Sequence, residues 1–74
     1  MARREIKSDV AGTVWLLETT VGAKVQEDDT LMVLESMKMV IPVDAPVSGT
    51  VAEIFVAKDD VIAEDQVLLI LETD

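Results

Sequence analysis

The chain is written twice. Residues Val10 to Ser36 align with Val47 to Thr73 at a constant offset of 37, without a gap. Nine of the 27 pairs are identical: Val10/Val47, Gly12/Gly49, Thr13/Thr50, Val14/Val51, Glu27/Glu64, Asp28/Asp65, Leu31/Leu68, Leu34/Leu71 and Glu35/Glu72. Others are conservative, such as Leu17/Ile54, Val25/Ile62 and Val33/Ile70. A period of this size belongs to repeat architectures, but two copies are too few for a solenoid. Each copy is therefore half of one closed domain with internal two-fold pseudosymmetry, and residues 1–74 form a single domain.

Within each half the elements are short and β-like. The pattern predicts strands at about residues 4–8 and from Gly12-Thr13 to about Thr20, a turn at Gly22-Ala23-Lys24-Val25 into a very short third strand, and a fourth from Leu31 to Glu35. The second half repeats this with Met39–Val43, Thr50–Ala57, Val61–Ile62 and Val67–Glu72. Short apolar runs separated by turn signals make a sandwich or barrel, and no segment holds a helical period long enough to compete. In the second strand of each half, the core positions Val14/Leu17 and Val51/Ile54 stand three apart. Strict alternation then fails, and a bulge in both copies, with Leu16 and Glu53 outside, restores it. Pro42 has no N–H to donate, so its strand lies at a sheet edge.

Composition narrows the chemistry. There is no cysteine and no histidine, which removes disulfides, thiolate metal sites, the commonest general base and any histidine-based triad. The expectation is no catalytic residue and no metal site. The net charge is −9, and from Ser8 onward 14 acidic residues face only Lys24, Lys38 and Lys58. Nucleic-acid binding needs clustered cations, so it is not expected. No apolar stretch approaches the ~18 residues of a membrane span, and no signal peptide is present; the expectation is a cytoplasmic protein without a membrane partner.

One turn breaks the local rules. Leu31–Leu34 and Val40–Val43 read as a hairpin, yet a two-residue hairpin turn wants Asn-Gly or a similar pair because its backbone needs positive φ. Here the turn is Met37-Lys38, and a broken local rule points to a functional constraint. Lys38 is then an isolated cation on an acidic body. The plain alternative is an ordinary turn lysine, with Met37 and Met39 as core fillers.

Glu35-Ser36-Met37-Lys38-Met39 resembles the attachment motif of biotinyl domains. Ala45-Pro46-Val47-Ser48-Gly49-Thr50-Val51 resembles that family's Ala-Pro-x-x-Gly-x-Val segment, and Val21-Gly22 followed by Val25 resembles its Gly-Asp-x-Val turn. The likeness runs from about Glu5 to Thr73. It implies an all-β barrel-sandwich hybrid, a flattened barrel of two four-stranded antiparallel sheets, with the lysine on a hairpin tip between the halves. It further implies a biotin carboxyl carrier similar to those of biotin-dependent carboxylases. Biotin would be joined by an amide to Lys38 and would carry CO2 as carboxybiotin between biotin carboxylase and carboxyltransferase components. A lysine amine is not activated by itself, so a biotin protein ligase must supply activated biotin and help remove the proton.

Around Lys38, the resemblance marks Met37, Met39, Ser36 and Glu35 as flanking recognition residues. Glu35, however, has Glu72 as its repeat mate, which argues for a structural or solubility role. Two rival classes share the architecture: a lipoyl carrier domain, and an unmodified interaction module. The lipoyl lysine usually follows Asp and precedes Ala or Val, and neither neighbour is present here. The family commonly has Gly where this chain has Asp28, Asp59 and Asp65, so these aspartates are expected at positive φ, with side chains bonding their own turns. Ser8-Asp9 replaces Ala45-Pro46 at the mirrored entry turn and is expected to be looser. Trp15, whose mate is Ala52, is expected to be partly buried and to have no ligand role. No insertion resembles the thumb of some acetyl-CoA carboxylase carriers. The chain ends fit a stand-alone carrier and a domain of a larger carboxylase equally.

Overall fold

The computed structural model describes residues 2–73. Eight strands follow one another: β1 (Ala2–Lys7), β2 (Gly12–Leu17), β3 (Lys24–Val25), β4 (Thr30–Ser36), β5 (Met39–Asp44), β6 (Gly49–Ile54), β7 (Val61–Ile62) and β8 (Val67–Thr73). They form two four-stranded sheets, ordered β1-β8-β6-β3 and β5-β4-β2-β7. All pairings are antiparallel. The sheets pack face to face into a body of 36 × 18 × 17 Å, which is the all-β barrel-sandwich architecture.

The repeat governs every element. Adding 37 to the bounds of β1, β2, β3 and β4 returns those of β5, β6, β7 and β8. The same shift converts one sheet order into the other. The symmetry thus reaches beyond the aligned segment to β1 and β5, whose sequences are unlike. Neither half is complete alone. The first half lends β1 and β3 to the sheet built on β8 and β6, and the second lends β5 and β7 to the sheet built on β4 and β2.

The core lies between the sheets. It is built from Val14, Leu31, Met32, Leu34, Val51, Ile62, Leu68, Leu69 and Leu71, all essentially inaccessible, with Ile6, Val25, Ala45 and Val56 beside them. The expected bulges are present in both copies, between Val14 and Leu16 and between Val51 and Glu53. Each keeps Val14 or Val51 inside while returning Leu17 or Ile54 to the core rim. The extra residue at the bulge is Trp15 in one sheet and Ala52 in the other. Trp15 is 46% exposed, more open than expected, because the bulge turns it away from the inner face.

Two strands end earlier than expected. β2 stops at Leu17 and β6 at Ile54, after which Glu18 N–H donates to Leu31 O at 3.0 Å and Phe55 N–H to Leu68 O at 2.9 Å before the chain departs. β1 begins earlier, at Ala2, because its first residue pairs with Thr73.

Positive φ marks the turns. Asp28, Asp59 and Asp65 stand at 75°, 75° and 67°, and Gly22, the repeat mate of Asp59, at 92°. Their side chains do not make the turn bonds, however. The next residue does: Asp29 Oδ2 accepts from Gln26 N–H at 2.9 Å, Asp60 Oδ2 from Ala57 N–H at 2.8 Å, and Gln66 Oε1 from Ala63 N–H at 2.9 Å. The entry turn at Ser8-Asp9 is not loose. Ser8 is buried like Ala45, its hydroxyl bonds Val10 O and accepts from Val10 N–H at 3.3 Å. Its backbone bonds Gln66 O and Asp65 N–H at 2.9 and 2.8 Å, as Ala45 bonds Asp29 O and Asp28 N–H, both at 2.8 Å. A hydroxyl replaces the stiffness that Pro46 gives the other copy.

Close backbone approach explains one repeated glycine. A Cβ on Gly49 would lie 2.5 Å from the Glu72 carbonyl oxygen, and one on Gly12 would strike the Glu35 carbonyl oxygen in the same way. Neither oxygen can retreat without breaking its ladder. Gly12→Ala and Gly49→Ala are each expected to cost about 1–3 kcal/mol, the usual range for forced overpacking. Urea unfolding of the two variants measures this, and the two costs should be similar because the two surroundings are.

Candidate functional site

β4 and β5 are the strands of the expected hairpin, in register from Met32↔Val43 to Ser36↔Met39, with a register shift between Met32 and the Thr30↔Asp44 pair. Only Met37 and Lys38 are left to make the turn. Their φ values are 51° and 67°, so both central residues are left-handed, as a type I′ turn requires. Left-handed backbone costs a side-chain-bearing residue roughly 1–2 kcal/mol. Two residues must reverse the chain between paired Ser36 and Met39, and the two-residue turns that match the strand twist, I′ and II′, both demand positive φ at one or both central positions.

The turn is held from below. Ser36 Oγ donates to Ala11 O at 2.7 Å, tying the hairpin base to the segment entering β2. The Gly12 backbone packs against Glu35 and Ser36 at the same level. Above this base, Met37 is 92% exposed and Met39 63%. They are not core fillers. Lys38 is exposed between them and enters no ion pair among the described residues. Thus Ser36, Met37, Lys38 and Met39 are brought together at one tip, with Ser36 as its anchor. Glu35 lies one step below, exposed on the outer face opposite Val40 and Thr13.

The tip is a projection and not a cleft. A surface depression of about 650 Å³ is lined by Ala2, Arg3, Arg4, Lys24 and neighbours on the other sheet, and takes in none of residues 35–39. An exposed primary amine without a competing carboxylate is suited to being acylated by another protein's active site. It has no base of its own to drive the reaction. The surroundings fit a covalently held group, since amide formation on Lys38 displaces nothing packed.

A symmetric, two-sheet barrel-sandwich that displays one lysine on its crossover hairpin has the form of a cofactor attachment domain. Comparison with known proteins agrees. The family model described as "Biotin-requiring enzyme", the biotin/lipoyl family, matches residues 5–71, and the chain belongs to this family. It is 35% identical over 64 residues to a biotin/lipoyl attachment protein of Bacillus subtilis, covering 86% of this chain and 88% of that one. A homolog of a biotinylated protein, from Mycobacterium leprae, is 31% identical over 90% of this chain and 94% of its own length. Pyruvate carboxylase of Bacillus subtilis is 37% identical over 90% of this chain, which spans only 6% of that enzyme.

Among solved structures, a single-chain, multi-domain long-chain acyl-CoA carboxylase superposes with a TM-score of 0.89 at 29% identity, over 97% of this chain and 7% of that one. The lipoyl domain of the 2-oxoglutarate dehydrogenase complex of Azotobacter vinelandii gives 0.76 at 28% identity, over 86% and 81%. The protein is thus a small attachment domain, resembling the carrier domains of carboxylases.

Two substitutions test the site. Met37→Asn should raise stability by about 1 kcal/mol, since Asn tolerates left-handed backbone far better than Met. Lys38→Ala should leave the unfolding midpoint nearly unchanged, because an exposed tip lysine contributes little packing. Thermal unfolding followed by circular dichroism reads both, and loss of cooperativity in Lys38→Ala would contradict an exposed tip.

Proposed function

We propose that the protein is a biotin carboxyl carrier, with biotin joined through an amide to Nζ of Lys38. The observation that carries this reading is the tip itself: Lys38 held outward between two exposed methionines, in a turn whose residues are costly for the turn's backbone. A biotin protein ligase presents the activated carboxyl carbon of biotin. Nζ attacks it, the activating group departs, and the amine proton passes to a base of the ligase. Met37 and Met39 supply adaptable apolar contacts for that enzyme. Ser36 fixes the base of the tip, and Glu35 contributes at its outer flank.

Attached biotin supplies the group that carries CO2. The carrier contributes tethering, which raises the local concentration of a linked group to the order of mM at sites it can span. The partners are the biotin carboxylase and carboxyltransferase components of a carboxylase, and the compartment is the cytoplasm. The carboxylase relatives and the homolog of a biotinylated protein support this reading. The likeness to a lipoyl domain keeps a second reading, lipoylation of the same lysine.

Mass spectrometry of the intact protein after incubation with a biotin protein ligase, ATP and biotin should show one biotin on the wild type and none on Lys38→Ala. A wild type that stays unmodified by a ligase active on a control carrier would refute biotinylation. A parallel reaction with a lipoyl ligase distinguishes the second reading.

A further inference from the structure

The internal symmetry allows one sheet to be compared with the other position by position. Facing outward on β1-β8-β6-β3 are Arg3, Glu5, Glu53 and Lys24, in a charged surface. Arg3 pairs with Glu53 at 3.0 Å and reaches Glu72 at 3.5 Å. The repeat mates of these four on β5-β4-β2-β7 are Val40, Pro42, Leu16 and Val61, all exposed. Val40 is 51% and Val61 82% accessible. At the bulge, Ala52 is matched by the exposed Trp15.

The registers put these residues on one surface. Val40, Glu35, Thr13 and Val61 form one row across the sheet, and Pro42, Val33 and Leu16 the next. The fold tolerates charge at each of these places, as the other sheet proves. An apolar side chain at every one, gathered on one side of the molecule, is the mark of a docking surface.

The symmetry also indicates what the occupant brings. Glu72 has the Arg3 guanidinium beside it. Glu35 is its mate, but Val40 stands where Arg3 would, and no cation pairs with Glu35 among the described residues. An occupant that supplies an arginine or lysine there, ringed by apolar side chains, completes what the other sheet completes internally. A second copy of this chain would instead bring another Glu35 and another net charge of −9. An anionic membrane surface would be repelled in the same way.

Reach identifies the partner. The row Val40–Glu35 belongs to the hairpin's own strands, directly below Lys38. A ligase acts on the bare lysine, so its active site must come within one lysine side chain of the tip and its body must rest against the sheet. Later partners meet an arm lengthened by the attached group. We infer that the outer face of β5-β4-β2-β7, centred on Glu35, Val40 and Leu16 with Trp15 as an aromatic anchor, is the docking surface for the biotin protein ligase. This rests on Lys38 being the biotin acceptor.

The test copies one sheet onto the other. Leu16→Glu/Val40→Arg installs the Arg3–Glu53–Glu72 arrangement around Glu35, and Val61→Lys adds the remaining charge. Folding of these variants is checked by cooperative thermal unfolding. Steady-state biotinylation by a ligase that modifies the wild type should show KM for the carrier raised about tenfold or more, as loss of an interface anchor does, with kcat nearly unchanged because the tip is intact. Arg3→Val/Glu53→Leu on the opposite sheet should leave kcat/KM within about twofold of wild type. Wild-type kinetics in the folded Leu16→Glu/Val40→Arg variant would overturn the inference while leaving the carrier assignment standing. Normal ligation combined with impaired carboxylation of the biotinylated variant would assign the face to a carboxylase component instead, and overturn it equally. A wild type that no ligase modifies removes the carrier reading itself, and this docking surface with it.

Discussion

The structure depends on an exchange of strands between its halves. Each half contributes two central strands to its own sheet and hands its other two strands to the opposite one. Burial of the Leu31/Leu68 and Leu34/Leu71 pairs is then possible only when both halves are present and crossed. The chain must pass from the first half to the second once, and it does so between β4 and β5. These are hydrogen-bonded neighbours in one sheet, so the passage is a tight hairpin. The symmetric counterpart of this passage is the pair Ala2↔Thr73, on strands that no hairpin joins. The Met37-Lys38 hairpin therefore has no repeat mate among the described residues.

That placement accounts for the backbone cost at the tip. The strand exchange fixes the paired Ser36 and Met39, and the two residues between them close a type I′ turn with left-handed φ at both. Elsewhere in the molecule the same demand is met by Gly22 or by aspartate, residues that bear positive φ with less cost. At the tip it falls on a methionine and a lysine, which have no local means of relief. The supports are indirect: the Ser36 hydroxyl on Ala11, and the glycine below that lets two backbones touch. A site that retains poor turn residues in a scaffold that elsewhere chooses suitable ones is under a demand that does not come from folding.

Much of this was legible from residues alone. The offset of 37 predicted the symmetry, and the three-residue spacing of Val14/Leu17 and Val51/Ile54 predicted both bulges. Pro42 predicted the edge position of β5, while the three aspartates were marked as turn residues only by the family resemblance, which has Gly there. What could not be read was anything that depends on which strand lies beside which. Ser8 looked like a weak substitute for Ala45 because its hydroxyl bonds appear only once the turn is closed. Strand ends at Leu17 and Ile54 depend on where the chain leaves its neighbour, which hydrophobicity does not encode. The exposure of Met39 escapes an alternation argument: its side lies along the inner face, but the hairpin runs past the end of the core there.

Internal symmetry also separates what the fold needs from what it permits. Where the halves agree, as at Gly12/Gly49, Val14/Val51 and Leu34/Leu71, the surroundings agree as well, and packing is reason enough for the residue. Glu35 and Glu72 are the instructive exception. They are identical in sequence and equivalent in register, yet one has an arginine beside it and the other faces a valine. The carboxylate is common to both sheets, so the difference lies wholly in what surrounds it. Every outward change from one sheet to the other at these positions, Arg3 to Val40, Lys24 to Val61, Glu53 to Leu16, removes a charge from the sheet that carries the lysine. A domain with so strong an acidic excess gains no solubility from that. The loss of charge on the side that carries Lys38 is what the docking surface inferred above requires.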